Sequence, residues 1–480
     1  MKIAIYISQI ADTHLVGEEM GKKYRYYDPK QILLFPPNIR EWLPEEHLVF
    51  FIDTLIDTAD ISTITNYYEQ SDRGNPPYDP RMMTKILCYA YCIGEPSSRK
   101  INKALYEDVA FRVLAAGNFP DFRTISDFRK IHLKSLEGLF VHVLDLCSEA
   151  GLVKLGTVAI DGTKVKANAS IDKNYNHQKL TEKEEHLQKI THALFEKAEH
   201  TDDEEDRIYG KDHRGDELPD GFRTKQEQLE RIRKAKTILE QRQQEKKNKY
   251  DQKKQKRTET EKKRGKRLRG RKLKKVEQNP EKSAMANTTD PESRIMKTRA
   301  GYAQAYNGQL AVDTSSQVIV AADLVQDQND KQQLQPMTQK IQENTGRLPP
   351  RVTTDAGYDN EEQITPLWDK IDLYIPTQKD WKARKTMKET PPPRGRIPKE
   401  LPLRERMKRK LLTKKGKAIY KKRGTSVEPV NGQIKDSRGF DRLSLRGLQK
   451  GKSEWKFICT THNILKLWRH TNTNTIVLTP

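Results

Sequence analysis

Thr157-Val-Ala-Ile-Asp161-Gly-Thr-Lys-Val165 is the stretch whose reading decides the fold. It has the character of a buried β-strand broken by an acid. An acid in such a run is costly to bury unless it is paired or holds a metal. Val352-Thr-Thr-Asp355-Ala-Gly-Tyr358 repeats the pattern. Each places a carboxylate at the end of a strand, facing a loop. That suits Mg²⁺, which takes few carboxylates and keeps water. Asp-Gly and Asp-Ala-Gly are also ordinary turn sequences, and each acid read alone is better explained that way.

Downstream of Asp161, strands are expected at 308–313 and 318–324, with Thr314-Ser-Ser-Gln317 as the turn. A helix over 331–344, a strand over 351–354, a helix over 361–368 and a strand over 373–376 follow. This is a mixed α/β sheet. Residues 382–410 are Pro-broken and basic, a last helix is expected over 427–437, and 455–459 reads as a short strand. Upstream, 48–150 reads as helical: a helix from Pro80 to about 94, short ones at 98–107 and 109–116, and a long one over 125–150. Short helices separated by turns suit either a DNA reader or a plain bundle. Between the first strand and the hairpin, the chain turns polar from 174 to about 300. Thr181 and Glu184 have the spacing of a capping box. The stripe Leu229, Ile232, Ala235, Leu239 is narrow, as in a helical hairpin with a thin seam.

Composition agrees with a core plus a large polar part. The 480 residues carry a net +22, with 32% charged and 34% hydrophobic residues. Residues 246–275 hold 17 Lys/Arg against three acids, and residues 382–423 hold 18 against three, so the other 408 residues carry a net −7. Blocks of like charge are commonly nucleic-acid contacts, or else solvated helices. No window approaches the roughly 18 apolar residues of a membrane span, the first residues lack a signal-peptide core, and four cysteines make no disulfide scaffold. A cytoplasmic protein is expected.

The third informative stretch is Tyr420-Lys-Lys-Arg423-Gly-Thr-Ser-Val-Glu428-Pro-Val-Asn-Gly-Gln-Ile-Lys435. Glu428 and Lys435 are seven apart, which would put them on one helix face. An acid beside cations can ligate a metal while Lys435 and Arg423 hold phosphate and Tyr420 stacks on a base or ribose. An exposed, salt-bridged helix has the same composition.

With this block in place, the sequence resembles the bacterial insertion-sequence DDE transposases, in the branch with a Tyr–Arg–Glu–Lys signature. The resemblance spans about 48–172 and 290–470. It rests on Ala159-Ile-Asp161-Gly-Thr, Asp290-Pro-Glu-Ser-Arg-Ile-Met, the segment 301–313, Thr353-Thr-Asp355-Ala-Gly-Tyr and Val427–Lys435, all in the family's order. Four residues separate Arg423 from Glu428 where three is commoner, and Asn431 stands where an aromatic is expected.

The resemblance implies a ribonuclease-H-like catalytic domain over 151–173 and 290–470, a helical end-binding domain over 1–150, a helical basic insertion over 174–289 and a tail over 471–480. It implies Asp161, Asp355 and Glu428 as the metal-binding catalytic triad, with Tyr420, Arg423 and Lys435 on DNA. Two Mg²⁺ ions, with Mn²⁺ as substitute, would serve cleavage and strand transfer. Partners would be double-stranded DNA, at transposon ends and target, and a second copy of the chain in the DNA complex. The rival readings are a non-catalytic, domesticated or decayed DNA-binding protein and a nuclease without strand transfer.

Overall fold

The computed structural model describes residues 38–69, 76–209, 222–267, 273–277, 279–378, 380–398 and 400–474. The expectations for the first 37 residues and the end of the tail lie outside these. Residues 1–43 form one unit, of which a 3₁₀ turn at Ile39–Trp42 is described; residues 44–480 form the other.

In the larger unit, helices come first: α1 (Leu48–Thr58), α2 (Ser62–Glu69), α3 (Pro80–Cys92), α4 (Ser98–Glu107), α5 (Val109–Ala115), α6 (Phe122–His132) and α7 (Gly138–Glu149). Their boundaries follow local chemistry. Asp79 caps α3 by accepting the Met82 N–H at 2.9 Å, with Pro80 at the first position. Asp108 ends α4 and caps α5. The single helix expected over 125–150 is two, parted by a 3₁₀ turn at Ser135–Glu137. The apolar stripe continues across the break, so periodicity does not reveal it.

Among the described residues the central sheet has six strands: β1 (Val158–Lys166), β4 (Arg294–Thr298), β5 (Gly301–Asp313), β6 (Ile319–Val325), β7 (Arg351–Thr353) and β8 (Asp372–Tyr374). β5 is long enough to pair with β4 along its first half and β6 along its second. On its other side β5 pairs antiparallel with β1, and β1, β7 and β8 run parallel in that order. α10 (Leu334–Thr345) lies against β5 and β6.

Between β1 and β4 the short strands β2 (Asn174–Asn176) and β3 (Met285–Asn287) form their own pair. From it rise α8 (His177–Tyr209) and α9 (Phe222–Arg264), sealed by Leu180, Leu187, Leu229, Ile232, Ala235, Leu239 and Ala286. The expected thin seam is there. The expected capping box is not: α8 starts at His177, so Thr181 lies inside it. Glu184 instead reaches across the hairpin to Arg233 and Lys236, both at 3.0 Å. β2, β3 and β4 have no counterpart in the sequence reading.

The C-terminal part departs most. After the short α11 (Glu361–Ile364), the Pro-broken region contains α12 (Asp380–Glu389) and α13 (Leu403–Leu412). The helix expected at 427 begins thirteen residues earlier, as α14 (Lys414–Gly432), with Pro429 inside it. Proline cannot donate to the carbonyl four residues back, and that carbonyl, of Thr425, accepts the Gln317 side-chain amide at 3.1 Å. The strand expected at 455–459 is part of α15 (Leu448–Asn474). α15 packs against β6 on one side and α3 and α7 on the other. A helix buried nearly all round carries no amphipathic signal to separate it from a strand.

Candidate active site

The pairing of β1 with β7 ends at Ala159 and Thr353. The next residues of the β7 chain therefore leave the sheet beside Asp161, and Asp355 comes alongside it. Asp161 thus lies in mid-strand, opposite Leu310 of β5, at the end of its neighbour rather than of its own strand. Asp355 caps a 3₁₀ turn, Ala356–Tyr358, by accepting the Gly357 N–H at 2.8 Å.

The Asp161 side chain is mostly buried, 14% exposed. Arg423 Nη2 donates to its Oδ1 at 3.1 Å, and Asn431 Nδ2 stands 3.5 Å from its Oδ2. Burial pushes the Asp161 carboxyl up to about 6; the Arg423 charge opposes this, while Asp355 and Asp330 reinforce it. Lys164, three residues on in β1, sits in the field of Asp330, Asp355, Asp161 and Asp327, yet burial outweighs them and lowers its pKa.

Glu428 is not gathered with these acids. It is exposed, and its Oε1 accepts from Arg384 Nη2 at 2.8 Å. Five residues past Arg423, it is turned about 140° around an ideal helix. Asn431, eight past Arg423, returns to within about 80°, which is why it reaches Asp161. Among the described residues no group of three or more His, Cys, Asp or Glu is close enough to hold a metal. Tyr420 is buried, not presented for stacking. Lys435 lies in a π-turn, Gln433–Ser437, so its spacing of seven from Glu428 is not two α-helical turns. Its Nζ donates to the Lys164 carbonyl at 2.5 Å, and burial lowers its pKa to about 8.

Sequence reading missed Asp330, Gln309 and Tyr358. Asp330 Oδ1 accepts Asn307 Nδ2 and Gln309 Nε2, each at 2.7 Å, and the Tyr358 hydroxyl donates to Gln309 Oε1. One signal was present: Asn307 and Gln309 are two apart within β5, so they share a face.

The two basic blocks differ. In α9, Lys253, Lys254, Lys256, Lys262, Lys263 and Arg264 are all exposed. In the 382–423 block much of the charge is used internally. Lys410 pairs with Asp372 at 2.5 Å, Arg404 with Asp359 at 2.9 Å, and Arg406 lies 5.0 Å over the Trp368 ring.

Residues 37–131 match the family described as a transposase domain (DUF772), and residues 283–464 match the family described as the transposase DDE domain. Together the matches cover more than half of the chain. No curated protein and no solved structure matches it. Asp330, Asp355 and Glu428 fall within the second match, whereas Asp161 and the helical hairpin fall between the two. The chain belongs to the insertion-sequence DDE transposase family.

Proposed function

We propose that this transposase cleaves DNA strands and joins the freed 3′ ends to a target, with Asp161, Asp355 and Glu428 as ligands of divalent metal. The observation that carries the reading is the juxtaposition of Asp161 and Asp355 at the point where β7 leaves the sheet. A ribonuclease-H-like domain over 151–173 and 290–470 is supported by the strand order: three antiparallel strands, then two parallel ones on the far side of β1. The helices up to residue 150 would serve end binding, and 174–289 is the basic insertion.

The donor set fits a hard cation in part. Two adjacent carboxylates, one of them buried with its pKa raised, are what Mg²⁺ takes from a protein, and Mn²⁺ accepts the same ligands. Glu428 completes the set only after exchanging Arg384 for the cation. When bound, divalent metal would neutralise charge on the scissile phosphate and acidify the attacking water. Arg423 orients Asp161 and balances its buried charge. Lys164 adds positive potential beside the acids, and Lys435, held on the Lys164 carbonyl, is the further cation for a phosphate. Tyr420 supports α14 from inside, so its role is packing rather than stacking. Double-stranded DNA is the partner, and two copies of the chain would bring two ends together.

The test is a cleavage and strand-transfer assay on the element's own ends with Mg²⁺ or Mn²⁺. Asp161→Asn, Asp355→Asn and Glu428→Gln should each abolish both reactions while leaving metal-free end binding near normal. Their effects should not add, because the residues act as a unit. Asp359→Asn should stay within about tenfold of wild type, roughly 1.4 kcal/mol of barrier. Asp313 is no control of this kind: it is buried and accepts the Lys154 and Leu155 N–H groups at 3.0 and 2.6 Å. Cutting by Glu428→Gln at the wild-type rate would remove Glu428 from the triad. Cleavage without joining, even from a pre-cut end, would make the chain a nuclease.

A further inference from the structure

The loop between β6 and α10 carries an acid that the triad does not use. Asp330 collects two side-chain amides on one oxygen, from Asn307 and Gln309 of β5, both fully buried. Gln309 passes the connection on, because its own carbonyl oxygen accepts the hydroxyl of Tyr358. Tyr358 is fully buried and closes the 3₁₀ turn that Asp355 opens. Asp330, Gln309 and Tyr358 therefore form one chain of hydrogen bonds from the loop, through β5, to the turn carrying Asp355.

Two glycines make room for it. A methyl group on Gly162, next to Asp161, would lie 2.2 Å from Asp330 Oδ1 and 2.7 Å from Gln309 Nε2. One on Gly357 would lie 2.9 Å from Asp355 Oδ1 and 3.3 Å from Asp330 Oδ2. The Asp330 carboxylate thus packs directly on the strand that carries Asp161 and on the turn that carries Asp355.

We propose that Asp330 is a positioning residue of the active site, setting the orientation of Asp355 through Gln309 and Tyr358. This rests on the reading of Asp355 as a metal ligand. The hydrogen bonds need only an acceptor at Oδ1. Asparagine supplies one and alanine does not, so geometry and charge can be separated.

The experiment titrates full-length protein with Mn²⁺ alone, read by electron paramagnetic resonance of the free ion, alongside the end-cleavage assay. Asp330→Ala should weaken Mn²⁺ binding and cleavage by tenfold or more. Asp330→Asn should restore both to within about threefold of wild type. Tyr358→Phe, which keeps the ring and removes the hydroxyl, should resemble Asp330→Ala, and the double variant should be no worse than either single one. Unchanged Mn²⁺ binding in Asp330→Ala would overturn the proposal. So would Asp330→Asn failing as badly as alanine, since that would make the charge itself the requirement. Wild-type protein that binds no Mn²⁺ would overturn the metal site and this inference with it; normal wild-type binding with an unaffected Asp330→Ala would overturn this inference alone.

Discussion

His462 shows how a single buried side chain can set the pH response of the molecule. It sits in α15 and is 2% exposed, with Nε2 3.1 Å from the Gln317 carbonyl. Burial lowers its pKa to about 3, and the charges of Arg438, Lys466 and Arg469 push the same way. The unfolded chain takes up a proton below about 6.5, while the native state does not until about 3. The contribution to stability is therefore intact above pH 6.5 and lost as pH falls toward 3, up to about 5 kcal/mol in the limit. Chemical denaturation between pH 7 and 4 should show this loss, and His462→Gln, which can still donate to Gln317, should flatten it. An identical pH slope in the variant would assign acid sensitivity elsewhere. Asp161 was legible at this scale because a carboxylate inside a β-run stands out. Asp330 was not: Asn329-Asp330 looks like any polar turn, and its partners lie 21 and 23 residues away.

At the scale of elements, α15 finishes the sheet. The Asn463 side chain accepts the Ile319 N–H and donates to the Ile319 carbonyl, both at 2.8 Å, occupying the edge of β6 where another strand would otherwise pair. Asn463→Ala leaves two buried backbone groups unpaired. It should cost about 2–4 kcal/mol in urea unfolding, and a loss under about 1 kcal/mol would mean water replaces the amide. Two turns earlier, Trp455 is fully buried against β5, and a methyl on Gly308 would stand 2.8 Å from its ring. This packing explains why 455–459 is helical although its apolar run is short enough for a strand. The start of α14 was missed for a related reason. Gly416, Gly424 and Pro429 weaken its local helical signal, while burial of Ile419, Val427 and Val430 sustains it.

For the whole molecule, the α8–α9 hairpin has its own apolar seam, and Arg242 ties its base to the Pro291 and Ser293 carbonyls at the entry to β4. α9 alone runs 43 residues, about 65 Å. Its exposed lysines and arginines suit phosphate binding along a duplex. Because Asn176 pairs with Met285, a short turn can replace 177–284. That deletion should leave the sheet folded and lower affinity for every duplex about equally. It should also flatten the dependence of log K on log salt, by roughly 0.9 for each phosphate that the shortened chain leaves unneutralised. An unchanged salt slope, measured by titration across a severalfold range of salt, would place the phosphate-binding groups elsewhere. The 382–423 block should matter less for binding than its charge implies, since Lys410, Arg404 and Arg406 are already committed to Asp372, Asp359 and Trp368.

Sequence alone determined what a few neighbouring residues can encode. The apolar runs at 157–165, 308–313 and 318–324 specified strands, Asp79-Pro80 specified a helix start, and the 3.6-residue stripe of 229–239 specified a hairpin seam. The placement of acids after apolar runs marked Asp161 and Asp355, because a buried charge is exceptional wherever it occurs. Tertiary structure decided what depends on distant partners. It set Arg423 against Asp161 across 262 residues, turned Glu428 outward onto Arg384, and made a helix of 455–459 by surrounding it with β6, α3 and α7. The physical reason is common to all three: side-chain direction on a helix and burial on every side are fixed by what packs against the element, and that information is absent from its own few residues.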